Sequence, residues 1–280
     1  MMHELTLQEI QQESLAVLLK LDGLCRKLNI RYFLAFGTLI GAVRHNGFIP
    51  WDDDIDVMMP RKDYQILKEY MEAHAEEMRP FKICDRANTK NYSCSIPRFV
   101  NTDFIFRTCN PGEKQFDLGV FVDIYPLDSC GNSVSEGKRL GKKVRLLDLL
   151  YIIYINPNNG KKGLKNLLRH IISAFLRLLW GAHFDFDEKL AQYVSKRTSD
   201  DDTFIGVLYD CDPMERTKFE TPAEHLFEGH SVFIPKEYDS ILNLTHRGYM
   251  QLPSESERIP HHGYSIFKDD CRISSDGGGY

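Results

Sequence analysis

The feature that most constrains this chain is the alternation of aspartates in Asp52-Asp53-Asp54-Ile55-Asp56. Asn46-Gly47, a pair that favours a turn, precedes it. The apolar run from Ile55 to Met59 follows it and predicts a strand. Because side chains alternate between the two faces of a strand, we expect Asp52, Asp54 and Asp56 to point to one side. The sequence therefore predicts a dense negative charge at the head of a strand.

Carboxylates that converge in this way repel one another unless a cation lies between them. Mg²⁺ binds a few carboxylates and completes its shell with water and phosphate oxygens. We therefore interpret Asp54 and Asp56 as ligands of Mg²⁺ or Mn²⁺, with Asp52 beside them at the substrate and Asp53 in a structural role. A solvated acidic loop is the alternative. A calcium loop is excluded because Val57 stands where an EF-hand requires glycine.

A second motif lies about fifteen residues upstream. Tyr32 to Phe36 is apolar and predicts a buried strand, and Thr38 to Arg44 predicts the start of a short helix. Gly37 between them would let the backbone approach a phosphate, which the N–H groups of a helix start bind. Gly37-Thr38 is thus a candidate phosphate cradle, and Arg44 could add a bidentate phosphate contact. Arg44 could instead pair with the aspartates.

Asp123 is a lone carboxylate in the apolar run Val120 to Tyr125, which predicts a strand. Burying it without a partner would be costly, so we interpret it as the third metal ligand or as the proton acceptor. The alternative is a hydrogen-bonded carboxylate that positions a loop. Another strand is predicted over Ser95–Val100, where Arg98 is a candidate phosphate contact or a partner of the aspartates.

Three aromatic or imidazole side chains are candidate substrate contacts. Trp51 could stack on a base or cover an ammonium group of a substrate, or simply anchor its loop. His45 and His261 lack the spacing of metal ligands and are interpreted as hydrogen-bonding groups.

Helical periodicity predicts an amphipathic helix over 6–28, with a capping box at Thr6 and Glu9, and a second helix over 61–78. The segment 136–200 is both basic and apolar and predicts two helices separated near 156–160. It is either an ordinary helical cap over the core or a surface that meets anionic lipid through 138–180.

The 280 residues suffice for a catalytic core over 1–135 and 201–268, the helical insertion 136–200 and a flexible tail over 269–280. The net charge of -5 gives no case for nucleic-acid binding. Seven cysteines without C-x-x-C spacing indicate neither a disulfide framework nor a zinc site. A polar, helix-like start without a signal peptide and the lack of a membrane-length apolar run favour a cytoplasmic protein, with peripheral contact at the inner membrane face through the insertion.

The segment FGTLIGAVRHNGFIPWDDDIDVMMPRKDY closely resembles the signature of the LicD family, the phosphocholine transferases and their relatives. FVDIYPLD and the later FEG and VFIPKEYD agree with it. The resemblance implies an α+β fold of the polymerase β-like nucleotidyltransferase kind, with a mixed sheet flanked by helices. Gly37-Thr38, Asp54 with Asp56, and Asp123 match its glycine turn, its paired aspartates and its later acidic strand.

The resemblance implies transfer of phosphocholine, or a related alcohol-phosphate, from a CDP-linked donor such as CDP-choline. The acceptor would be a hydroxyl of a cell-surface glycan, in lipopolysaccharide or a teichoic-acid precursor of the cell wall, and CMP would leave. Two alternatives share the metal site. One is a nucleotidyltransferase that releases pyrophosphate, and the other is a non-catalytic relative that binds nucleotide or glycan.

Overall fold

A computed structural model of the protein describes residues 2–90, 92–109, 118–158, 163–181, 186–209, 212–259 and 263–269. Its helices are α1 (Leu7–Leu28), α2 (Phe36–His45), α3 (Arg61–Ala73), α4 (Val134–Ile155), α5 (Leu164–Trp180), α6 (Phe186–Ser195) and α7 (Tyr238–Thr245). Its strands are β1 (Met2–Glu4), β2 (Phe33–Leu34), β3 (Asp56–Pro60), β4 (Phe81–Cys84), β5 (Arg98–Asn101), β6 (Phe104–Thr108), β7 (Val120–Ser129), β8 (Phe204–Gly206), β9 (Met214–Glu215), β10 (Pro222–Phe227), β11 (His230–Pro235) and β12 (Tyr264–Asp269).

A mixed sheet forms the centre of the protein, as the sequence predicts for an α+β fold. Its strand order is β2-β3-β7-β5-β4, and β8 and β9 extend it from the end of β7. β3 and β7 run parallel, whereas the other neighbours in this sheet are antiparallel. A second sheet has the order β1-β12-β6, and β10 and β11 form a separate hairpin.

The two faces of the central sheet have different partners. Val57 and Met59 of β3, with Val122 and Ile124 of β7, join the main core that also contains the buried face of α1. Met58 points to the other face, where a smaller apolar cluster also includes residues of β2, β8 and α7. β3 thus places apolar side chains on both faces of the sheet. Asp56 and Asp123 lie at one end of the face that carries Met58.

Helix α1 confirms the predicted start and end. The Thr6 side chain accepts from the Glu9 N–H, and the Glu9 carboxylate accepts from the Thr6 N–H at 2.8 Å. Asn29 adopts the left-handed conformation that ends the helix. The expectation of a helix-like first segment is wrong for Met2–Glu4, which pairs with β12 as a strand.

Several other boundaries differ from the predictions. The strand expected over 32–36 is only Phe33–Leu34, because α2 already begins at Phe36. The helix expected over 61–78 ends at Ala73. The strand expected over 95–100 begins at Arg98. Asp269 lies in β12 rather than in the predicted tail, and residues 270–280 lie outside the described residues.

The described residues of 136–200 form three helices instead of the predicted two, since α6 follows α4 and α5. α4 and α6 share a small cluster of buried side chains that also includes Cys130 and Leu208 from outside the segment. Among the described residues, no helix combines the length and the apolar character that crossing a bilayer requires. The described cysteines at 25, 84, 94, 109 and 130 form no disulfide with one another.

Candidate functional site

The parallel pairing of β3 and β7 brings two of the predicted aspartates together. Asp56, the first residue of β3, stands directly opposite Asp123 in the ladder. The Asp123 N–H donates to the Ile55 carbonyl at 2.9 Å, which fixes this register at the start of β3. Residues opposite each other in a ladder point to the same face, so both carboxylates lie on one side of the sheet.

Asp54 completes a group of three carboxylates. One oxygen each of Asp54, Asp56 and Asp123 lies within 4.8 Å of the other two. Asp54 reaches the group from the loop before β3, so the predicted strand alternation over 52–56 is wrong, because the strand begins only at Asp56. Asp52, Asp53 and Asp54 form a second group with the same spacing. Asp53 is buried, consistent with a structural position.

The Asp56 carboxylate has an environment that disfavours its charge. Burial raises its pKa well above the usual range, and the charges of Asp54, Asp123 and Asp52 raise it further. A hydrogen bond with the Tyr125 hydroxyl acts in the opposite direction. The buried Asp56 Oδ1 has no hydrogen-bond partner among the described residues. A bound cation would supply the missing interaction.

Arg98 holds the third carboxylate. Its Nε donates to Asp123 Oδ1 at 2.6 Å, and its Nη2 lies 3.4 Å from Asp123 Oδ2. The two residues are opposite each other in the β5–β7 ladder, and both side chains are largely buried. The guanidinium carbon also lies 3.9 Å from the centre of the Phe121 ring. Of the two interpretations of Arg98, the structure favours pairing with the aspartates.

The predictions did not assign Tyr125 or Phe36 to the site. Tyr125 lies two residues after Asp123 on the same face of β7, a spacing that could have identified it. Burial and the charge of Asp56 raise the pKa of the Tyr125 hydroxyl, so it acts as a hydrogen-bond donor. Phe36 packs edge-on against Tyr125, with ring centres 4.8 Å apart, and has a φ of 45°. A positive φ strains the backbone at a bulky residue, and no local sequence pattern predicts it at Phe36.

The glycine turn and the acidic strand are joined directly. The buried Thr38 hydroxyl accepts from the Asp56 N–H at 2.8 Å. Gly37 lies in the first turn of α2, not before the helix as predicted. A Cβ at Gly37 would stand 2.8 Å from Asp52 Oδ2, so the missing side chain makes room for that carboxylate. The turn thus positions Asp52 and Asp56, and its predicted contact with phosphate stays a prediction.

Other predicted contacts lie near the edge of this region. Arg44 Nη1 donates to the carbonyls of Tyr249 and Gln251, which ties α2 to that loop. These bonds do not pair Arg44 with the aspartates, and its predicted contact with phosphate stays a prediction. Burial lowers the pKa of His45, and adjacent Arg44 lowers it further. His261 lies outside the described residues.

Trp51 is half-buried in the turn before the aspartates and packs against the main core. The Arg258 guanidinium lies 5.7 Å from the centre of its ring. This packing agrees with the anchoring role, and a contact with substrate stays a prediction.

The second sheet also touches the acidic loop. The Tyr264 hydroxyl of β12 donates to the Asp53 carbonyl at 3.1 Å, and its ring packs on Phe106 and Phe121. Burial raises the pKa of this hydroxyl well above its usual range. No local pattern in the sequence indicates this contact, because it joins residues 211 positions apart.

The residues present fit a divalent cation of the hard, oxygen-binding kind. Three carboxylates with ligand atoms within 4.8 Å of one another are a suitable donor set for Mg²⁺ or Mn²⁺. Asp56 Oδ1 is buried and has no hydrogen-bond partner among the described residues, which favours a bound ion over a solvated acidic surface. Burying a carboxylate oxygen without a partner costs free energy.

A cavity of about 1020 Å³ lies elsewhere, at the opposite ends of β3 and β7. Its lining includes Pro60, Leu127 and part of α6, but not the three clustered aspartates. Arg61 in its wall forms a two-pronged ion pair with Asp128, at 2.7 and 2.6 Å. Because the clustered carboxylates and the Asp56 oxygen without a described partner lie outside this cavity, we propose the aspartates as the site of chemistry.

Comparison with known proteins agrees with this geometry. The family model described as LicD/FKTN/FKRP, nucleotidyltransferase domain, matches residues 29–138, which include α2, β3 and β7. Lipopolysaccharide cholinephosphotransferase LicD of Haemophilus influenzae is 30% identical over 277 residues, covering 93% of this chain and 97% of that protein. An uncharacterised protein of Rickettsia prowazekii is 31% identical over 127 residues, covering 39% of this chain and 48% of that protein. Similarity over almost the whole of both chains shows that this protein belongs to the LicD family.

Proposed function

We propose that this protein is a phosphotransferase that moves phosphocholine, or a related alcohol-phosphate, from a CDP-activated donor to a glycan hydroxyl. The acceptor class is a cell-surface glycan, such as lipopolysaccharide or a teichoic-acid precursor, and CMP is the second product. The full-length similarity to a lipopolysaccharide cholinephosphotransferase supports the type of group transferred.

The observation that carries this proposal is the convergence of the Asp54, Asp56 and Asp123 carboxylates, together with the buried Asp56 Oδ1 that has no hydrogen-bond partner among the described residues. These residues would hold Mg²⁺ or Mn²⁺. A divalent ion supplies charge neutralisation to the phosphates of the donor and to the leaving nucleotide. The polymerase β-like nucleotidyltransferase fold is part of the same proposal, supported by the mixed sheet and the name of the family model.

The remaining residues of the site position these carboxylates. Arg98 restrains both oxygens of Asp123 from β5, while Thr38 holds the backbone at Asp56. Phosphoryl-type transfer depends mainly on positioning and on neutralising charge. Two of the three proposed ligands, Asp56 and Asp123, are buried, and the contacts with Thr38 and Arg98 restrain them, so the site needs little rearrangement when the donor binds.

The experiment that tests the reaction is a donor screen with the purified protein. CDP-choline, CDP-ribitol and CDP-glycerol are each incubated with Mg²⁺ and a glycan acceptor, and CMP and pyrophosphate are separated by chromatography. We expect CMP and acceptor modification with CDP-choline. A parallel incubation with CTP that yields pyrophosphate and nucleotide-labelled acceptor would identify a nucleotidyltransferase instead, and binding of donor without any product would identify a non-catalytic relative.

The metal requirement has its own test. Asp54→Ala and Asp56→Ala are each expected to abolish turnover while the circular dichroism spectrum stays unchanged. Dialysis of the wild type against EDTA should stop turnover, and either Mg²⁺ or Mn²⁺ should restore it. Turnover that survives thorough chelation would contradict the proposed metal site.

A further inference from the structure

Helix α5 turns its apolar face toward solvent. Seven large apolar side chains on this helix are more than half exposed: Leu164, Leu167, Leu168, Ile171, Phe175, Leu178 and Leu179. They recur at the three- and four-residue spacing of one helix face. A contiguous apolar face of this length is unusual on a protein surface that contacts only water, and such faces mark interaction sites.

The opposite side of α5, which packs on α4, is largely polar. Ser173 Oγ and Arg177 Nη2 both donate to the Tyr154 carbonyl, at 3.2 and 3.1 Å. Arg169 donates to the carbonyls of Asn156 and Pro157 at the end of α4. Ser173 and Leu176 are the buried residues of α5. Packing within the chain therefore fixes the orientation of the helix without covering its apolar face.

The segment of sequence that contains this face is strongly basic. Asp148 is the one acidic residue in the sequence from 137 to 181, and it is buried in an ion pair with Arg86. Ten basic residues occur in the same segment: Lys138, Arg139, Lys142, Lys143, Arg145, Lys161, Lys162, Lys165, Arg169 and Arg177. On α4, exposed Lys142 and Lys143 lie about one turn before Leu146 and about two turns before Leu149, and both leucines are also exposed.

We propose that α5 docks in the plane of an anionic bilayer surface, with its apolar face among the upper acyl chains and the basic residues at the headgroups. A helix of 17 residues lying flat spans about 25 Å. Apolar burial and attraction to anionic lipid then act together, which is the combination that holds interfacial helices at membranes. The inference is independent of the transfer chemistry.

A second copy of the chain is a less suitable partner for the apolar face of α5 than an anionic bilayer. Pairing through this face by a two-fold axis would place the same basic segment of each copy beside the other. The segment offers no exposed acidic side chain to offset that repulsion. An anionic lipid surface provides the complementary charge.

The test is flotation of the full-length protein with vesicles of phosphatidylcholine alone and of an equimolar mixture with phosphatidylglycerol. We expect wild type to float with the anionic vesicles and much less with phosphatidylcholine. Ile171→Glu should lower the bound fraction roughly tenfold or more, since it puts a charge in the inserted face. Leu226→Glu is the matched control, because Leu226 is 56% exposed against 57% for Ile171, and it should float like wild type.

Equal melting temperatures of the two variants would show that both are folded. Asp56→Asn, which disables the acidic site, should float like wild type, so failure of docking and failure of the transfer proposal are distinguishable. Absence of wild-type binding to anionic vesicles, or unchanged flotation of Ile171→Glu, would overturn the proposal. So would a wild-type dimer in gel filtration that Ile171→Glu converts to monomer.

Discussion

The Thr38 hydroxyl accepts a hydrogen bond from the backbone N–H of Asp56 at 2.8 Å, and both residues are buried. This contact joins the first turn of α2 to the first residue of β3. It therefore sets the position of a proposed metal ligand through its backbone rather than through its carboxylate.

Thr38→Val should weaken the site while keeping its shape. Valine has nearly the volume of threonine but leaves the Asp56 N–H unsatisfied, at a cost of about 1–3 kcal/mol in the free energy of unfolding. Loss of a group that orients a metal ligand typically lowers metal affinity or activity by about 10- to 100-fold. Thr38→Ser keeps the hydroxyl and is expected to retain most activity. Equal activity of the two variants, measured as CMP release, would contradict this role.

Asp56→Asn should stabilise the metal-free protein and abolish its activity. The buried carboxylate is opposed by Asp54 and Asp123, whereas an amide could donate to them. In EDTA we expect the free energy of unfolding to rise by about 1–3 kcal/mol, the usual cost of a buried group left unsatisfied. Urea unfolding in EDTA measures the change. The exposed Asp201→Asn is the control and should leave both properties unchanged.

Added Mg²⁺ should then make wild type more stable than Asp56→Asn. It stabilises wild type by mass action, because only the folded state presents the assembled ligands. Asp56→Asn lacks one ligand and should gain little. A variant that Mg²⁺ stabilises as much as wild type would show that the ion binds elsewhere.

Arg98→Ala should be strongly destabilising. Removing one partner of a buried ion pair leaves an uncompensated charge and costs about 3–5 kcal/mol. Arg79→Ala removes an arginine from an exposed pair with Glu76 and should cost about 1 kcal/mol or less. Thermal or urea unfolding in EDTA compares the two. Similar losses for both would contradict the assignment of Arg98 as the partner that compensates Asp123.

Gly37→Ala should lower turnover while changing the stability of the protein little. The new Cβ would lie 2.8 Å from Asp52 Oδ2, the end of a side chain that can move aside. We expect turnover to fall roughly tenfold, as for a displaced site residue, with a small change in melting temperature. Gly23→Ala in α1 is the control, since its Cβ meets no atom within 4 Å. It should stabilise the helix by about 0.5–1 kcal/mol and leave turnover unchanged.

The sequence predicted those parts of the protein that depend on neighbouring residues. The capping box of Thr6 and Glu9 involves residues three apart and located the start of α1 correctly. The three clustered aspartates were identified because two of them share a short motif and Asp123 is isolated in an apolar strand. Each signal could be read within one strand or one helical turn.

Contacts between distant segments were beyond sequence reasoning. The Arg98–Asp123 pair depends on the register of two strands, and the Tyr264 contact depends on a second sheet. The apolar periodicity of α5 correctly indicated a helix but did not indicate which side packs on α4. A periodic pattern describes a face and carries no information about the surface that covers it.

The acidic site forms only when β3 and β7 pair in the observed register. Side chains in a strand have only two directions, so inserting one residue in β7 just ahead of Asp123 would turn its carboxylate toward the face occupied by α1. No intermediate geometry exists between these two arrangements. Loops that do not carry Asp52 to Asp54 can therefore vary in length without moving the acidic site, whereas a change in length within these two strands would dismantle it.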